Sequence, residues 1–130
     1  DIDLKTRDGE GHSFYSQFNK IDTIKYVVIA YDEDKPVGCG ALPDSAAQLM
    51  EVKRMFVPLE KREKGIASLV LQELEKWSKE LGNEKCILET GKKQPEAIQL
   101  YKKNNYTIIP NFGQYRNVEN SVCFEKELKD

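Results

Sequence analysis

A short charged loop between an apolar strand and an amphipathic helix is the part of this chain best suited to chemistry. Residues 57–68 read VPLEKREKGIAS, so a glycine stands where the helix begins. The first N–H groups of a helix lack partners within it and lie at the positive end of its dipole, and Gly65 leaves room for an anion to reach them. Lys61, Arg62 and Lys64 add positive charge. The segment is typical of a phosphate-binding turn, although an ordinary solvated loop explains the same residues equally well.

Other reactive residue types are few. His12 is the only histidine, which excludes a histidine-based triad and a metal site with several histidines. Cys39, Cys86 and Cys123 each lie within an apolar segment, so we predict buried thiols rather than a zinc site or a disulfide framework. Neither the GxxxxGK(S/T) loop of NTPases nor a GxGxxG turn after a strand occurs. We therefore expect chemistry without a metal, based on carboxylates, tyrosine, backbone amides or a bound co-substrate.

Length and composition favour one domain over residues 1–130. A chain of 130 residues with 39% hydrophobic residues encloses one core and is too short for two ordinary domains. Its 20 Lys and Arg against 22 Asp and Glu give no positive excess for binding nucleic acid. The apolar runs are far shorter than the roughly 20 residues that span a bilayer. No signal peptide is visible, so we expect a cytoplasmic protein, and the absence of an initiator Met indicates a trimmed N-terminus.

The hydrophobic pattern predicts six strands. Residues 25–31 and 37–42 are rich in β-branched residues and flank a turn, which indicates a hairpin. A third strand is predicted over residues 48–57. Its apolar residues shift from one face of the strand to the other, and a bulge near Arg54 or Met55 would bring both halves to the same face. The remaining strands are predicted over residues 85–90, 106–109 and 121–125. Because strands alternate with helices along the chain, a mixed α/β domain is expected.

Two main helices are predicted between these strands. Apolar residues at three- and four-residue spacing place one over residues 65–81, with Ile66, Leu69 and Trp77 facing inward and Gly82 ending it. A second begins at Pro95. A short amphipathic helix is expected near residues 13–19. Because a helix connects the third strand to the strand over residues 85–90, these two strands are expected to be parallel.

The strand-to-helix turn resembles the signature of the GCN5-related N-acetyltransferase (GNAT) family, Gln/Arg-x-x-Gly-x-Gly/Ala, which reads Arg62-Glu-Lys-Gly65-Ile-Ala67 here. The resemblance continues through residues 88–91, 94–101 and 105–106 and covers roughly residues 26–126. It implies an α/β domain with the acyl-CoA N-acyltransferase (GNAT) fold, a mixed central sheet flanked by helices. Members usually begin with a strand and one or two helices, and only about 25 residues precede Tyr26. The N-terminal strand and much of the first helix are therefore expected to be missing.

The resemblance implies an N-acetyltransferase that moves the acetyl group of acetyl-CoA to an amine of an unidentified acceptor by direct attack. The pantetheine arm is expected in a gap between the third strand and the strand over residues 85–90, with a backbone N–H near Val57 on the thioester oxygen. The residues expected to hold acetyl-CoA lie at the end of the third strand, in the turn and on the second helix: Met55, Phe56, Val57, Arg62, Glu63, Lys64, Gly65, Ile66, Ala67, Ser68, Gln94 and Ala97.

Tyr101 occupies the family's general-acid position, from which a phenol hands a proton to the departing sulfur, with core packing as the alternative. Glu51 lies eleven residues before Arg62, the spacing at which histone-modifying relatives carry a base glutamate. A strand carboxylate paired with Lys53 or Arg54 explains Glu51 equally well. Glu89 is a second candidate base.

The acceptor pocket is expected between the N-terminal segment and the loop over residues 110–120. The expected partner is a small-molecule or peptide amine, and because edge strands in this fold often pair between subunits, a homodimer is also expected. The residues able to line the pocket, each explained equally well by surface packing, are Phe14, Tyr15, Phe112, Tyr115 and Arg116.

Two departures from the family pattern bear on function. Asn105 stands where the family usually has Gly, and the Asn that many members carry after the parallel strand is not evident in residues 91–94. The alternatives to an active enzyme are a catalytically silent CoA-binding regulatory module and an α/β protein without an acyl ligand. Acetyl transfer by the Tyr101→Phe variant and calorimetric titration with CoA distinguish these alternatives from an active enzyme.

Overall fold

The predicted alternation of strands and helices is present in the computed structural model, which describes residues 2–6, 24–43, 49–58, 62 and 65–128. A single 3-10 turn, Gly113–Tyr115, interrupts the loop before the last strand. Within these residues, no helix is long and apolar enough to cross a membrane. The elements are β1 Ile2–Thr6, β2 Ile24–Asp32, β3 Lys35–Pro43, β4 Leu49–Glu51, β5 Lys53–Phe56, α1 Ile66–Glu80, β6 Lys85–Gly91, α2 Pro95–Lys103, β7 Thr107–Ile109 and β8 Ser121–Glu127.

The strands form two four-stranded sheets. One has the order β1-β2-β3-β5 with antiparallel neighbours, and the other has the order β4-β6-β8-β7. The pair of β4 and β6 is parallel, as the helical crossover through α1 requires. The chain passes from one sheet to the other at Val52, so the fold is the predicted mixed α/β domain with its sheet divided in the middle.

The predicted third strand is divided at Val52. Its first part, β4, pairs with β6, whereas its second part, β5, pairs with β3. The predicted bulge is confirmed within β5, because Cys39 and Ala41 face Phe56 and Lys53, two steps on β3 against three on β5. The extra residue reverses the face on which the following side chains lie. Apolar residues before and after the bulge can therefore both pack against a core.

The first strand is present, against the expectation that it is missing. Residues Ile2–Thr6 pair antiparallel with β2, from Ile2 opposite Asp32 to Thr6 opposite Val28. The apolar and polar residues of β1 alternate with the period of a strand, and the charged residues among them hid this pattern. The helix expected near residues 13–19 lies outside the described residues.

Helix α1 packs one face against the sheets, and Gly82, with φ 93°, follows its end as a left-handed cap. The prediction for Leu69 is wrong, because this residue is 38% exposed. At 100° per residue Leu69 lies about 140° around the helix from Leu74, which points into the core. Leu81, the last residue of the predicted helix, is exposed beyond the helix end. The buried apolar residues of the helix are Ile66, Val70, Leu71, Leu74 and Trp77.

Glycine in β3 brings α1 close to the sheet. A Cβ added at Gly38 would lie 2.8 Å from Ile66 Cγ2 and 3.2 Å from Val57 Cγ2. Since Ile66 is the first residue of α1, a larger residue at position 38 would displace the start of the helix. The sheet therefore fixes where the N-terminus of α1 lies.

Candidate active site

A gap opens between the two sheets where β4 gives way to β5. The last bond across this line is donated by the N–H of Val52 to the carbonyl of Ile87, at 2.8 Å. Beyond it, β5 pairs with β3 and β6 pairs with β8, so their facing edges have no ladder partner among the described residues. Open strand edges of this kind accept an extended ligand through main-chain hydrogen bonds. Met55, Phe56 and Val57, expected to contact acetyl-CoA, lie along this edge.

The N-terminus of α1 is open beside the gap. Its cap residue Gly65 has φ 79° and supplies no side-chain cap, and no acidic residue lies in the first turn. The first bond within the helix is donated by Leu69 N–H to the Gly65 carbonyl, at 3.1 Å. The N–H groups of Ile66, Ala67 and Ser68 therefore have no partner within the helix. A Cβ at Gly65 would meet none of the described residues within 4 Å, which leaves room there for an anion to approach these donors.

Arg62 contacts both the end of β5 and the start of α2. Its Nε donates a hydrogen bond to the Val57 carbonyl at 2.9 Å, and its Nη1 lies 3.8 Å from Glu96 Oε1 in the first turn of α2. The side chain predicted to contact the ligand thus joins the end of β5 to α2. Its neighbours Glu63 and Lys64, also predicted to contact the ligand, lie outside the described residues.

An interaction that sequence reasoning missed connects the two helices. Asn104, just after α2, donates hydrogen bonds to Ser68 Oγ at 3.0 Å and to the Leu100 carbonyl at 2.9 Å. Its Oδ1 accepts from Gln72 Nε2 at 3.3 Å. Asn104 therefore holds the first turn of α1 against the end of α2, and an Asn at a helix terminus indicates by itself only a cap.

Tyr101 lies on the buried face of α2. It is 6% exposed, with its ring 5.8 Å from that of Tyr106 and 5.7 Å from that of Phe124. Burial and, to a lesser extent, the negative charge of Glu89 raise the pKa of its hydroxyl to about 12. Within the described part of the chain, this hydroxyl makes no side-chain hydrogen bond. Tyr101 thus packs in the core and keeps a protonated hydroxyl that is able to donate to a ligand.

Two carboxylates lie on the face of the second sheet opposite to the core residues. Glu51 ends β4, and its Oε1 is 3.9 Å from Lys53 Nζ, as the ion-pair alternative predicted. The Tyr115 hydroxyl donates to Glu51 Oε2 at 3.3 Å. Glu89, two residues along β6 from Ile87, which pairs with Glu51, accepts from Ser121 Oγ at 2.6 Å. Burial raises the pKa of the Tyr115 hydroxyl, and the charges of both carboxylates raise it further.

The loop over residues 110–120 covers this carboxylate face. Phe112 packs edge to face on Tyr115, with ring centroids 5.5 Å apart, and Tyr115 reaches Glu51. Of the other predicted pocket residues, Arg116 is exposed, and Phe14 and Tyr15 lie outside the described residues. The structure therefore brings part of the predicted acceptor pocket to the predicted base.

The remaining predicted residues lie around the start of α2. Gln94 caps α2 without a side-chain hydrogen bond and is exposed, and Ala97 packs against the core. The three cysteines are buried, as predicted, and burial raises the pKa of Cys86 to about 11. Among the described residues, no group of three or more His, Cys, Asp or Glu is placed to hold a metal ion. The site thus consists of backbone donors, a phenol and carboxylates.

Comparisons with known proteins point to one family. The family model described as "Acetyltransferase (GNAT) family" matches residues 3–106. The chain is 37% identical over 93 residues to an IAA acetyltransferase of Azospirillum brasilense, covering 71% of this chain and 61% of the relative. It is 32% identical over 101 residues to the N-acetyltransferase YsnE of Bacillus subtilis (strain 168), covering 76% of this chain and 67% of that protein.

A solved structure shares the fold. It is a GNAT family acetyltransferase from Elizabethkingia anophelis with acetyl-CoA bound, 16% identical, with a TM-score of 0.76 over 98% of each chain. By contrast, the chain spans only about three fifths of the length of the Azospirillum relative.

Proposed function

The chain belongs to the acetyltransferase (GNAT) family, and from this premise we propose that it transfers the acetyl group of acetyl-CoA to an amine acceptor by direct attack. The observation that carries the proposal is the open N-terminus of α1 beside the gap between β5 and β6, with the Tyr101 hydroxyl free of hydrogen bonds among the described residues. These features supply a diphosphate site, an extended groove and a proton donor.

The residues present fit acetyl-CoA as a co-substrate. The free N–H groups of Ile66, Ala67 and Ser68, with the open space at Gly65, would hold the diphosphate. The open edge of β5 would bind the pantetheine arm, and a backbone N–H near Val57 would hold the thioester oxygen. When bound, acetyl-CoA supplies the activated acetyl group, and the protein positions it and excludes water.

Tyr101 is the proposed hydrogen-bond donor to the leaving thiolate. Because its pKa is raised to about 12, the hydroxyl stays protonated throughout the neutral range. Ordinary thiols have a pKa near 8.5, so the phenol is the weaker acid of the two. We infer that Tyr101 stabilises the sulfur by a hydrogen bond as the bond to the acetyl group breaks, and that the proton lost by the amine balances the reaction.

Glu89 is the proposed acceptor of the amine proton, ahead of Glu51. Glu51 is held by Lys53 at 3.9 Å and by the Tyr115 hydroxyl at 3.3 Å, and an ion pair makes a carboxylate a poorer proton acceptor. Glu89 has only the Ser121 hydroxyl as a partner among the described residues. Its charge also acts on Tyr101, which places it near the proposed acid.

The assignment of the base predicts different outcomes for two matched variants. Glu89→Gln keeps an oxygen to accept from Ser121 and is expected to lower kcat/KM about 100-fold, the lower end of what a positioned base contributes. Glu51→Gln is expected to lower it less than about tenfold, since only a partly exposed ion pair is lost. Steady-state kinetics between pH 6 and pH 9 measures both. A larger loss for Glu51→Gln would transfer the role to Glu51.

The proposed function is tested by incubating the protein with acetyl-CoA and a panel of amines. The panel contains polyamines, amino acids, aminoglycoside antibiotics and peptides with a free N-terminus or a lysine, and release of the free CoA thiol is followed. We expect at least one class to be acetylated at a rate above hydrolysis. Binding of CoA without transfer to any amine would favour the catalytically silent module. Cytoplasmic location and a homodimer stay predictions.

A further inference from the structure

A cavity that contains none of the residues proposed to hold acetyl-CoA lies at the end of β6. It is a cleft of about 410 Å³ between the turn after β6, the strand β7 and the loop that leads into β8. This volume lies within the range of roughly 300 to 1,000 Å³ that is usual for small-molecule sites. The residues that give the cleft its chemistry are Lys92, Ile108, Arg116, Val118, Glu119 and Val122.

Hydrogen bonds to main-chain carbonyls hold the walls of this cleft in place. Asn111 Nδ2 lies within hydrogen-bond distance of three carbonyls, those of Tyr115 at 3.1 Å, Val118 at 3.2 Å and Ser121 at 3.2 Å. Lys92 N–H donates to the Asn120 carbonyl at 2.7 Å. The loop is thus fastened to itself, to the start of β8 and to the turn after β6, so the cleft exists before any ligand arrives, which lowers the entropy lost on binding.

The charges and the floor of the cleft indicate its occupant. Lys92 and Arg116 are both exposed, and neither has an ion pair within the described part of the chain. Among the residues that line the cleft, Glu119 is the one that is acidic. Ile108 is 56% exposed and Val118 is 43% exposed, which is unusual for large aliphatic residues in the same cleft. Unpaired cations over an apolar floor match an anion that carries an apolar body.

We propose that this cleft binds a small organic carboxylate with an aliphatic or aromatic body. The carboxylate lies between Arg116, whose guanidinium forms paired hydrogen bonds with carboxylates, and Lys92, and the body covers Ile108 and Val118. Ser121 forms part of the cleft, and its hydroxyl donates to Glu89 at 2.6 Å, so the occupant is one residue away from the proposed base. The inference requires only the cleft and stands whether or not acetyl transfer is found.

Titration of the protein with hexanoate, without acetyl-CoA, tests the proposal. Isotope-labelled protein is followed by NMR, and hexanoate is expected to give saturable shifts at Ile108, Val118 and Val122. Hexanamide, which lacks the charge, is expected to bind at least about tenfold more weakly, the loss that follows from removing a charged hydrogen bond. Acetate, which lacks the body, is expected to bind more weakly by a similar factor, because several buried CH2 groups are lost.

Matched variants locate the site. Arg116→Gln and Lys92→Gln are each expected to weaken hexanoate binding about tenfold or more. Lys102→Gln and Lys103→Gln remove the same charge from the exposed last turn of α2 and should leave it unchanged. Equal binding of hexanoate and hexanamide would overturn the proposal. So would shifts without saturation, or an equal loss in the α2 variants.

Discussion

Tyr101→Phe is expected to lower kcat by about 100-fold to 1,000-fold while the melting temperature of the protein stays unchanged. The kinetic effect follows from losing the hydrogen bond that stabilises the leaving thiolate. The unchanged stability follows from the structure, because the Tyr101 hydroxyl makes no hydrogen bond among the described residues and the ring still packs on Phe124. Steady-state kinetics and thermal unfolding measure the two quantities, and KM for acetyl-CoA should change little.

Tyr106→Phe is the control, since this residue has the opposite surroundings. Its hydroxyl donates to Glu75 Oε2 at 2.8 Å, and Glu75 Oε1 lies 2.9 Å from Lys126 Nζ. Removing one member of this buried group is expected to lower the free energy of unfolding by about 1 to 3 kcal/mol, with kcat of the folded protein within a few-fold of wild type. Equal kcat for Tyr101→Phe and wild type would exclude the acid role.

Gly65→Ala is expected to weaken CoA binding about 100-fold. The first contribution is steric, because the added methyl group would occupy the open space at Gly65 through which the diphosphate would reach the N–H groups. The second is conformational, since Gly65 has φ 79°, a residue with a Cβ is disfavoured there by about 1 to 2 kcal/mol, and a change of φ at this position would reorient the N–H groups at the start of α1. Together these effects remove one or two charged hydrogen bonds, each worth about 1.5 to 3 kcal/mol. Calorimetric titration of CoA measures the affinity.

Gly82→Ala is the matched control at the other end of α1. Gly82 also has a left-handed conformation, with φ 93°, and a Cβ there would likewise meet nothing within 4 Å. The two substitutions therefore carry a similar conformational cost, but Gly82 follows the C-terminus of the helix, where an anion is repelled rather than bound. Gly82→Ala should lower stability about as much as Gly65→Ala and leave CoA affinity unchanged.

The features that the sequence predicted correctly are local. The open start of α1, the left-handed cap at Gly82 and the start of α2 at Pro95 each depend on a few neighbouring residues whose conformational preferences are strong. The bulge in β5 was also predictable, because a change of apolar parity within one strand needs an extra residue. Asn105 has φ 73°, so this Asn adopts the left-handed conformation at a position where the family usually has Gly.

The features that could not be predicted depend on residues distant in the chain. The division of the third strand at Val52 follows from which sheet each half joins, and no local pattern specifies this. The Tyr115 hydroxyl reaches Glu51 across 64 residues, and Asn104 reaches Ser68 across 36. Pairings of this kind are determined by the packed fold and not by periodicity, so the site's polar partners became visible only in the structure.

Calorimetric titration of CoA into wild type, Gly65→Ala and Gly82→Ala proteins shows whether backbone donors at the start of α1 hold the diphosphate. We expect one CoA per chain for the wild type, the same affinity for Gly82→Ala, and about 100-fold weaker binding for Gly65→Ala. No heat with the wild type, or the same affinity in all three proteins, would contradict this expectation.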